Sequence, residues 1–255
     1  MSGPRLPGLP SGVSPSLAAG ISAVVLDIEG TTTPVEFVHA VLFPYARARV
    51  RSFLVNQAGE EAVQAGLERL RREHAAEVAP PPPPWPEQPP LARLEGAVAY
   101  VHWLMDRDRK STGLKALQGR IWEAGYISGE LKAQVYEDVP SALARLAAGG
   151  RRLAIFSSGS VLAQRLLFRH STAGDLSGFI HAYFDTTTGP KLEAASYARI
   201  AGALGRPAAE VLFVTDTPGE ADAARGAGLK TALCLRGERR EPGPHPNIGS
   251  LAELA

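Results

Sequence analysis

The chain has 255 residues, of which 45% are hydrophobic and 21% charged, and its 27 basic and 26 acidic residues leave a net charge of +1. This composition is typical of a globular protein with one large core or two smaller ones, and it lacks the positive charge with which proteins bind nucleic acid or anionic membranes. Because Cys234 is the only cysteine, an intrachain disulfide is excluded. Cys234 lies in the apolar run TALCL and is predicted to be a small core residue.

Residues 1–20 are rich in proline and contain no long apolar run. They predict a flexible tail and do not resemble a secretory signal. No apolar run in the chain approaches the roughly 20 residues needed to span a membrane. We therefore expect a cytoplasmic protein with neither a membrane nor a nucleic acid as its partner.

Short apolar runs recur along the chain and predict β-strands that are covered on both faces. They lie at 21–27, 152–158, 180–185, 211–216 and 231–235. Helical patterns separate several of them, for example at 140–150 and 196–205, and each of these two ends in glycine. This alternation predicts an α/β fold, with a Rossmann-like parallel sheet as its core.

A helical insertion is predicted between the first two strands. Leu91, Leu94, Val98, Val101 and Met105 recur at the spacing of one helix face. Leu114, Leu117 and Ile121 continue the pattern. The expected organisation is therefore a tail at 1–20, an α/β core at 21–45 and 138–255, and an inserted helical domain at 46–137.

The insertion contains the proline-rich stretch PPPPPWPEQPP at 80–90. Neither a helix nor a sheet can run through it, because proline has no amide hydrogen and a fixed φ. We expect a solvated, extended loop between two helices. A recognition motif for a proline-binding module is the alternative.

Residues suited to phosphate chemistry follow four of the predicted strands. They are Asp27 and Glu29, then Ser157 and Ser158, then Lys191, and finally Asp216. Since ligands of open α/β sheets bind beyond the carboxyl ends of the strands, these side chains are expected to meet at one edge of the sheet. Each alone has a structural explanation as a turn residue, a helix cap or a surface lysine. Their order along the chain favours a shared function.

The residue types indicate phosphoryl transfer. Asp27 can attack phosphorus, and Mg²⁺ held by Asp27 and Asp216 would relieve the repulsion between carboxylate and phosphate. Lys191 adds fixed positive charge. Ser157 can donate a hydrogen bond to a phosphate oxygen, and Glu29 can protonate the leaving oxygen and later activate water.

This ordered set resembles the haloacid dehalogenase superfamily of phosphatases. Longer phrases are similar to its enolase-phosphatase branch, which acts in methionine salvage. They are LDIEGTTTPVEFVHAVLFPYA (26–46), DRKSTGLKALQG (108–119), FSSGSVLAQRLLF (156–168), YFDTTTGPK (183–191) and FVTDTPGEADAA (213–224). The likeness covers nearly all of 21–255, although Glu29 stands where the superfamily commonly has a second Asp.

The resemblance implies a Rossmann-like core with an inserted helical cap, and a monomeric, cytoplasmic enzyme that uses one Mg²⁺ per chain. It implies two steps on one small phosphoester. 2,3-Diketo-5-methylthiopentyl 1-phosphate is enolised, and the enol is dephosphorylated to the acireductone 1,2-dihydroxy-3-keto-5-methylthiopentene.

The resemblance also implies a role for each site residue. Asp27 would be the nucleophile and a metal ligand, Glu29 an acid–base group and a metal ligand through its backbone carbonyl, and Asp216 the second carboxylate on the metal. Ser157 and Ser158 would bind substrate, and Lys191 would clamp the phosphate. Glu220 is a weaker candidate, for holding a metal-bound water.

Two matters stay open from the sequence. The base for enolisation is unassigned, with Glu29, Lys110 and His102 as candidates. The rival functions are a phosphatase for another small phosphoester, a phosphomutase, and a non-catalytic binding module that docks through its proline loop. The presence of Asp27, Lys191 and Asp216 argues against the last of these.

Overall fold

The computed structural model describes residue 17 and residues 19–57, 59–237 and 243–254, so most of the predicted tail at 1–20 lies outside the described residues. The strands there are β1 (Ala23–Leu26), β2 (Arg152–Phe156), β3 (Ile180–Phe184), β4 (Val211–Thr215), β5 (Lys230–Cys234) and β6 (Asn247–Ile248). The α-helices are α1 (Phe43–Gln57), α2 (Glu61–Ala76), α3 (Pro90–Asp106), α4 (Thr112–Ser128), α5 (Val139–Ala148), α6 (Val161–Arg169), α7 (Ala194–Ala203) and α8 (Pro218–Gly226). Five of the strands match the predicted runs. β6 was not predicted, since two residues carry no pattern.

The strands form one sheet in the order β3-β2-β1-β4-β5-β6, and every neighbouring pair is parallel. β1 is central, and its last residue, Leu26, lies opposite Ile155 of β2 and Val214 of β4. Three strands therefore end side by side, at the point where the strand order reverses, which is where open α/β sheets bind ligands. The predicted parallel α/β core is confirmed.

Both faces of the sheet are buried, which explains why its strands are almost uniformly apolar. Leu26, Ile155 and Val214 contribute to one apolar cluster, which α5 and α6 complete. Val25 and Phe213 contribute to the other, which α7 and α8 complete. Cys234 is fully buried in the first cluster, as predicted, and this burial raises the pKa of its thiol to about 11.

Helices α1 to α4 lie between β1 and β2 and form the predicted helical cap. The Ser111 hydroxyl accepts a hydrogen bond from the backbone N–H of Leu114 (2.9 Å), which caps the start of α4. Gly129, with φ of 79°, ends it. α4 packs against α2 within the cap and against α6 of the core. A π-helix at Phe37–Leu42 runs directly into α1, so the predicted limit at 45/46 falls inside one helical segment, and the domain limits stay a prediction.

The proline-rich stretch connects α2 to α3, but it is not simply solvated. Trp85 is 8% exposed, and its ring lies 5.8 Å from that of Tyr100 and 5.6 Å from that of His74. The Arg71 guanidinium lies 4.7 Å from the Trp85 ring. The large aromatic surface of Trp85 therefore anchors the stretch to the cap. Within the described residues, no helix is both long and apolar enough to cross a bilayer.

A largely buried ion pair, with side chains 12% and 17% exposed, ties the loop after β1 to the rest of the core. Arg236 Nη1 lies 2.6 Å from Asp138 Oδ1, and Arg236 Nε donates to the carbonyl of Thr31 (3.0 Å). The other oxygen of Asp138 accepts from the backbone N–H of Leu251 (2.6 Å). Three segments that are distant in the chain thus meet at one carboxylate.

We expect Asp138→Asn to lower the free energy of unfolding by about 2–4 kcal/mol, because it leaves the Arg236 charge buried without its partner. Urea denaturation measures the change. The control is Glu95→Gln, which breaks the exposed Glu95–Arg51 pair and should cost less than about 1 kcal/mol. Equal losses in the two variants would contradict a stabilising role for the buried pair.

Candidate active site

Asp27 follows the last residue of β1 and is almost completely buried. Its Oδ1 accepts from the backbone N–H of Ile28 (2.8 Å) and lies 2.7 Å from Lys191 Nζ. Its Oδ2 accepts from the hydroxyl of Thr215 at 3.0 Å. Both oxygens are therefore fixed in place, as a buried carboxylate requires.

The threonine run after Asp27 builds a tight turn. The backbone N–H groups of Thr31, Thr32 and Thr33 all point to the carbonyl of Ile28, at 3.2, 2.9 and 2.9 Å. The Thr32 hydroxyl donates to the carbonyl of Asp27 (3.1 Å). The Thr32 side chain thus satisfies the backbone of a buried turn, whereas the hydroxyls of Thr31 and Thr33 are buried with no hydrogen-bond partner among the described residues.

Gly30 lets this turn approach Asp216. Its φ is +70°, and a Cβ at this position would lie 2.1 Å from Asp216 Oδ2. Only glycine meets both conditions without strain. The structure therefore brings the acid after β4 directly against the loop after β1.

Lys191 lies between two carboxylates. Its Nζ is 2.7 Å from Asp27 Oδ1 and 2.7 Å from Glu220 Oε2, and its backbone carbonyl accepts from the hydroxyl of Tyr197 (2.7 Å). Although burial alone would lower the pKa of Lys191, attraction to Asp27 and Glu220 raises it. The ammonium group is therefore a fixed positive charge at the sheet edge.

Thr215 links the two acids on the other side. Its hydroxyl lies 3.0 Å from both Asp27 Oδ2 and Glu220 Oε2. Burial, followed by the charge of Asp27, raises the pKa of Glu220 to about 7. A threonine hydroxyl has one proton to donate, so Thr215 can donate to only one of the two acids at a time. Sequence analysis assigns Glu220 only a secondary role and does not identify Thr215, because Thr215 is the last residue of β4 and looks like an ordinary strand residue.

The two predicted serines lie in different environments. Ser157 is 1% exposed, and its hydroxyl accepts from the backbone N–H of Gly159 (3.1 Å) and lies 3.4 Å from Glu29 Oε2. Ser158 is exposed and lines the cavities described below. Ser157 thus contacts Glu29, whose pKa is raised by burial and then by the charge of Asp27.

Acidic groups dominate the cavity at the sheet edge, which has a volume of about 320 Å³. Its lining includes Asp27, Glu29, Asp108, Asp216 and Glu220, with Lys191 as its one lysine. Burial raises the pKa of Asp216, a hydrogen bond from Thr217 opposes this, and the charge of Asp27 adds to the rise. The excess of negative charge favours a bound cation.

The residues present fit a hard divalent ion. Asp27 and Asp216 offer carboxylate oxygens and Glu29 a backbone carbonyl, the ligand types that Mg²⁺ takes in proteins. In the part of the chain that the structure describes, no three His, Cys, Asp or Glu side chains are grouped to hold a metal by themselves. An ion bound here would thus need the carbonyl, solvent or substrate to complete its shell.

A second cavity, of about 510 Å³, adjoins the first and extends under the cap. Glu29, His39, Asp108 and Ser158 line both cavities. Asp108 has a φ of 46° and, among the described residues, is the one non-glycine with a positive φ. The sequence missed His39 and Asp108, since neither follows a strand.

The larger cavity distinguishes among the three candidates for the enolisation base, because not all of them line it. Lys110 and Glu29 line it. His102 does not, and its ring nitrogen instead lies 3.1 Å from the carbonyl of Arg47. Glu29 and Lys110 therefore remain candidates for the base, because a ligand in the cavity can reach them, whereas His102 is no longer a candidate.

Comparisons with known proteins agree with the predicted resemblance. A family model described as haloacid dehalogenase-like hydrolase matches residues 21–228. The chain is 56% identical over 220 residues to Enolase-phosphatase E1 of Synechococcus elongatus, with 86% of this chain and 91% of that protein covered. It is 46% identical over 234 residues to Enolase-phosphatase E1 of Pseudomonas aeruginosa (strain UCBPP-PA14), with 92% and 98% covered. The crystal structure of UTR4 protein from Saccharomyces cerevisiae is similar, with a TM-score of 0.71, 35% identity, and coverage of 90% of this chain and 98% of that one.

We expect Gly30→Ala to destabilise the protein by about 2–4 kcal/mol, because it adds left-handed strain and an overlap with the Asp216 carboxylate. Gly150→Ala is the matched control, since Gly150 has a φ of +77° and nothing within 4 Å of its Cβ position; strain alone should cost about 1 kcal/mol there. Urea denaturation of both variants measures the difference. Similar losses would show that Asp216 is not held against the turn.

Proposed function

This chain belongs to the haloacid dehalogenase-like hydrolases and, among them, to the enolase-phosphatases, and from that premise we propose how its residues divide the reaction. It is an enzyme of methionine salvage. It converts 2,3-diketo-5-methylthiopentyl 1-phosphate to the acireductone 1,2-dihydroxy-3-keto-5-methylthiopentene, first by enolisation and then by dephosphorylation.

Asp27 is the nucleophile of the dephosphorylation. The observation that carries this role is the Asp27–Lys191–Glu220 arrangement, in which both contacts of Nζ are 2.7 Å long. One Asp27 oxygen forms a bond to phosphorus as the bond from phosphorus to the ester oxygen breaks. Lys191 stabilises the negative charge on the transferring group.

Glu29 is the acid–base group of this step. It lies two residues from Asp27 and borders both cavities, so it can reach a leaving oxygen that enters from the cap side. It gives that oxygen a proton and then takes one from the water that hydrolyses the aspartyl-phosphate. Ser157, 3.4 Å away, positions the Glu29 carboxylate, and Ser158 is the serine that faces substrate.

Mg²⁺ is the cofactor that this site would take, at one ion per chain, held by the carboxylates of Asp27 and Asp216 and the backbone carbonyl of Glu29. When bound, the ion supplies positive charge where the nucleophilic carboxylate meets the phosphate. The acidic lining of the cavity supports the assignment. We further propose that the enzyme acts as a cytoplasmic monomer, as the sequence resemblance implies.

Asp27→Asn should reduce phosphate release by more than about 1,000-fold, because the amide is a poor nucleophile. Enol formation, followed by its ultraviolet absorbance, is measured in the same sample so that the two half-reactions are separated. Asp175→Asn, at an exposed loop position, is the control and should retain both. Phosphate release that persists in Asp27→Asn would remove Asp27 from the nucleophile role.

Removal of divalent ions by chelation should stop phosphate release, and added Mg²⁺ should restore it. In Asp216→Asn the Mg²⁺ concentration for half-maximal rate should rise by about tenfold or more, since one charged oxygen ligand is lost. Titration of activity against Mg²⁺ measures this, with Asp175→Asn again as the control. A rate in the Asp216 variant that saturates at the wild-type Mg²⁺ concentration would argue against Asp216 as a ligand.

A further inference from the structure

One face of α4 forms a wall of the larger cavity. Leu114, Gln118, Trp122 and Tyr126, each four residues apart, line it together with Lys115. Residues spaced by four lie on the same side of a helix. The wall therefore presents a fixed order of side chains to whatever the cavity holds.

Two members of this row, Gln118 and Tyr126, have a polar side chain without a partner among the described residues; the Tyr126 hydroxyl is fully buried, whereas Gln118 carries an amide. It is 6% exposed, yet its side chain forms no hydrogen bond with any residue in the described ranges. By contrast, the buried amide nitrogen of Gln164 donates to the carbonyls of Gly159 and Phe184, both at 2.8 Å. The amide atoms of Gln118 are not among the fully buried unpartnered side-chain atoms of the described residues, so the amide faces the open space of the cavity that it lines. A ligand that fills this space without a polar group would bury the amide without a partner, which is costly, so the position favours a polar ligand group.

The ends of the row differ in polarity. Lys115 Nζ donates to the carbonyl of Ser158 (3.0 Å), so the start of α4 lies over the serine loop, where the phosphate enters. Gln118 comes about 4.5 Å further along the helix axis and Trp122 about 6 Å beyond it. The indole N–H of Trp122 donates to the carbonyl of Leu42 (2.9 Å), which leaves an apolar ring.

The substrate has the same order of groups. Its phosphate is followed by one methylene, then by two ketone carbons, and then by two methylenes and a thioether. We propose that the Gln118 amide N–H donates a hydrogen bond to a ketone oxygen of the substrate, and that the Trp122 ring contacts its methylthio end, a favourable sulfur–aromatic contact. This assignment rests on the proposed function and makes Gln118 the residue that distinguishes the diketone from a plain alkyl phosphate.

The test compares kcat/KM for 2,3-diketo-5-methylthiopentyl 1-phosphate with kcat/KM for hexyl phosphate, which lacks both ketones. In Gln118→Leu the preference for the diketone should fall by about 10-fold or more, the effect of a ketone that loses its buried donor. Gln134→Leu makes the same chemical change at an exposed position and should keep the wild-type preference.

Thermal unfolding separates recognition from a structural role. Since Gln118→Leu replaces an unpaired amide with an apolar group of similar size, its Tm should equal or exceed that of the wild type. Gln118→Met, with an unbranched side chain, repeats both measurements if the leucine packs poorly. A lower Tm in both variants would instead assign Gln118 to the fold and overturn the proposal.

The kinetic outcomes also distinguish the two proposals. If Gln118→Leu and Gln118→Met both keep the wild-type preference for the diketone, the proposed role of Gln118 is wrong, while the proposed function stands. A wild-type enzyme that turns over hexyl phosphate as well as the diketone would overturn the proposed function itself.

Discussion

The ammonium group of Lys191, held between Asp27 and Glu220, is the contact on which the site depends. Parallel strands that end side by side place acids close together, and their mutual repulsion would otherwise push them apart or protonate them. Lys191 is itself buried, so its charge is tolerated only because two carboxylates lie 2.7 Å from it. Each of the three groups makes the burial of the others possible.

One cation does not balance the acids at this edge. With Lys191 paired, the cavity still contains Glu29, Asp108 and Asp216, and the raised pKa values of Glu29 and Asp216 both include repulsion from Asp27. The same excess that would repel a phosphate attracts a divalent cation. This distribution of charge supports the proposal that Mg²⁺ is bound at this edge of the sheet.

The sequence predicted the strands and the residues that follow them, because both depend on local pattern: a buried strand is an apolar run, and a functional residue comes where the run ends. It predicted less well what depends on side-chain direction. Ser157 and Ser158 are adjacent in the chain, but one is buried against Glu29 and the other faces the cavity. Thr215 looks like a strand residue until the fold places it between two acids.

Gln118, in the cap, shows the same limit of prediction from sequence. Its position on α4 was predictable from the helical spacing, but a glutamine inside an apolar face gives no sign of what it contacts. The lack of a hydrogen-bond partner for Gln118 among the described residues is seen only in the structure, where helices of the cap and of the core surround its side chain. Sequence pattern therefore predicts the helix, while packing shows which of its polar side chains line the cavity without a partner.

An amide that has no partner within the protein adds nothing to its stability, but it can discriminate between ligands. A purely apolar cavity would accept any alkyl chain of suitable length, because an added ketone changes little in a wall that makes no hydrogen bonds. A wall with one buried amide binds a ligand without a ketone less well, since the amide then stays unpaired. The cost of covering the amide therefore falls only on the ligand that offers it no acceptor. For this reason an amide between the polar and the apolar ends of the cavity wall is consistent with an enzyme that must select a diketone among many phosphoesters.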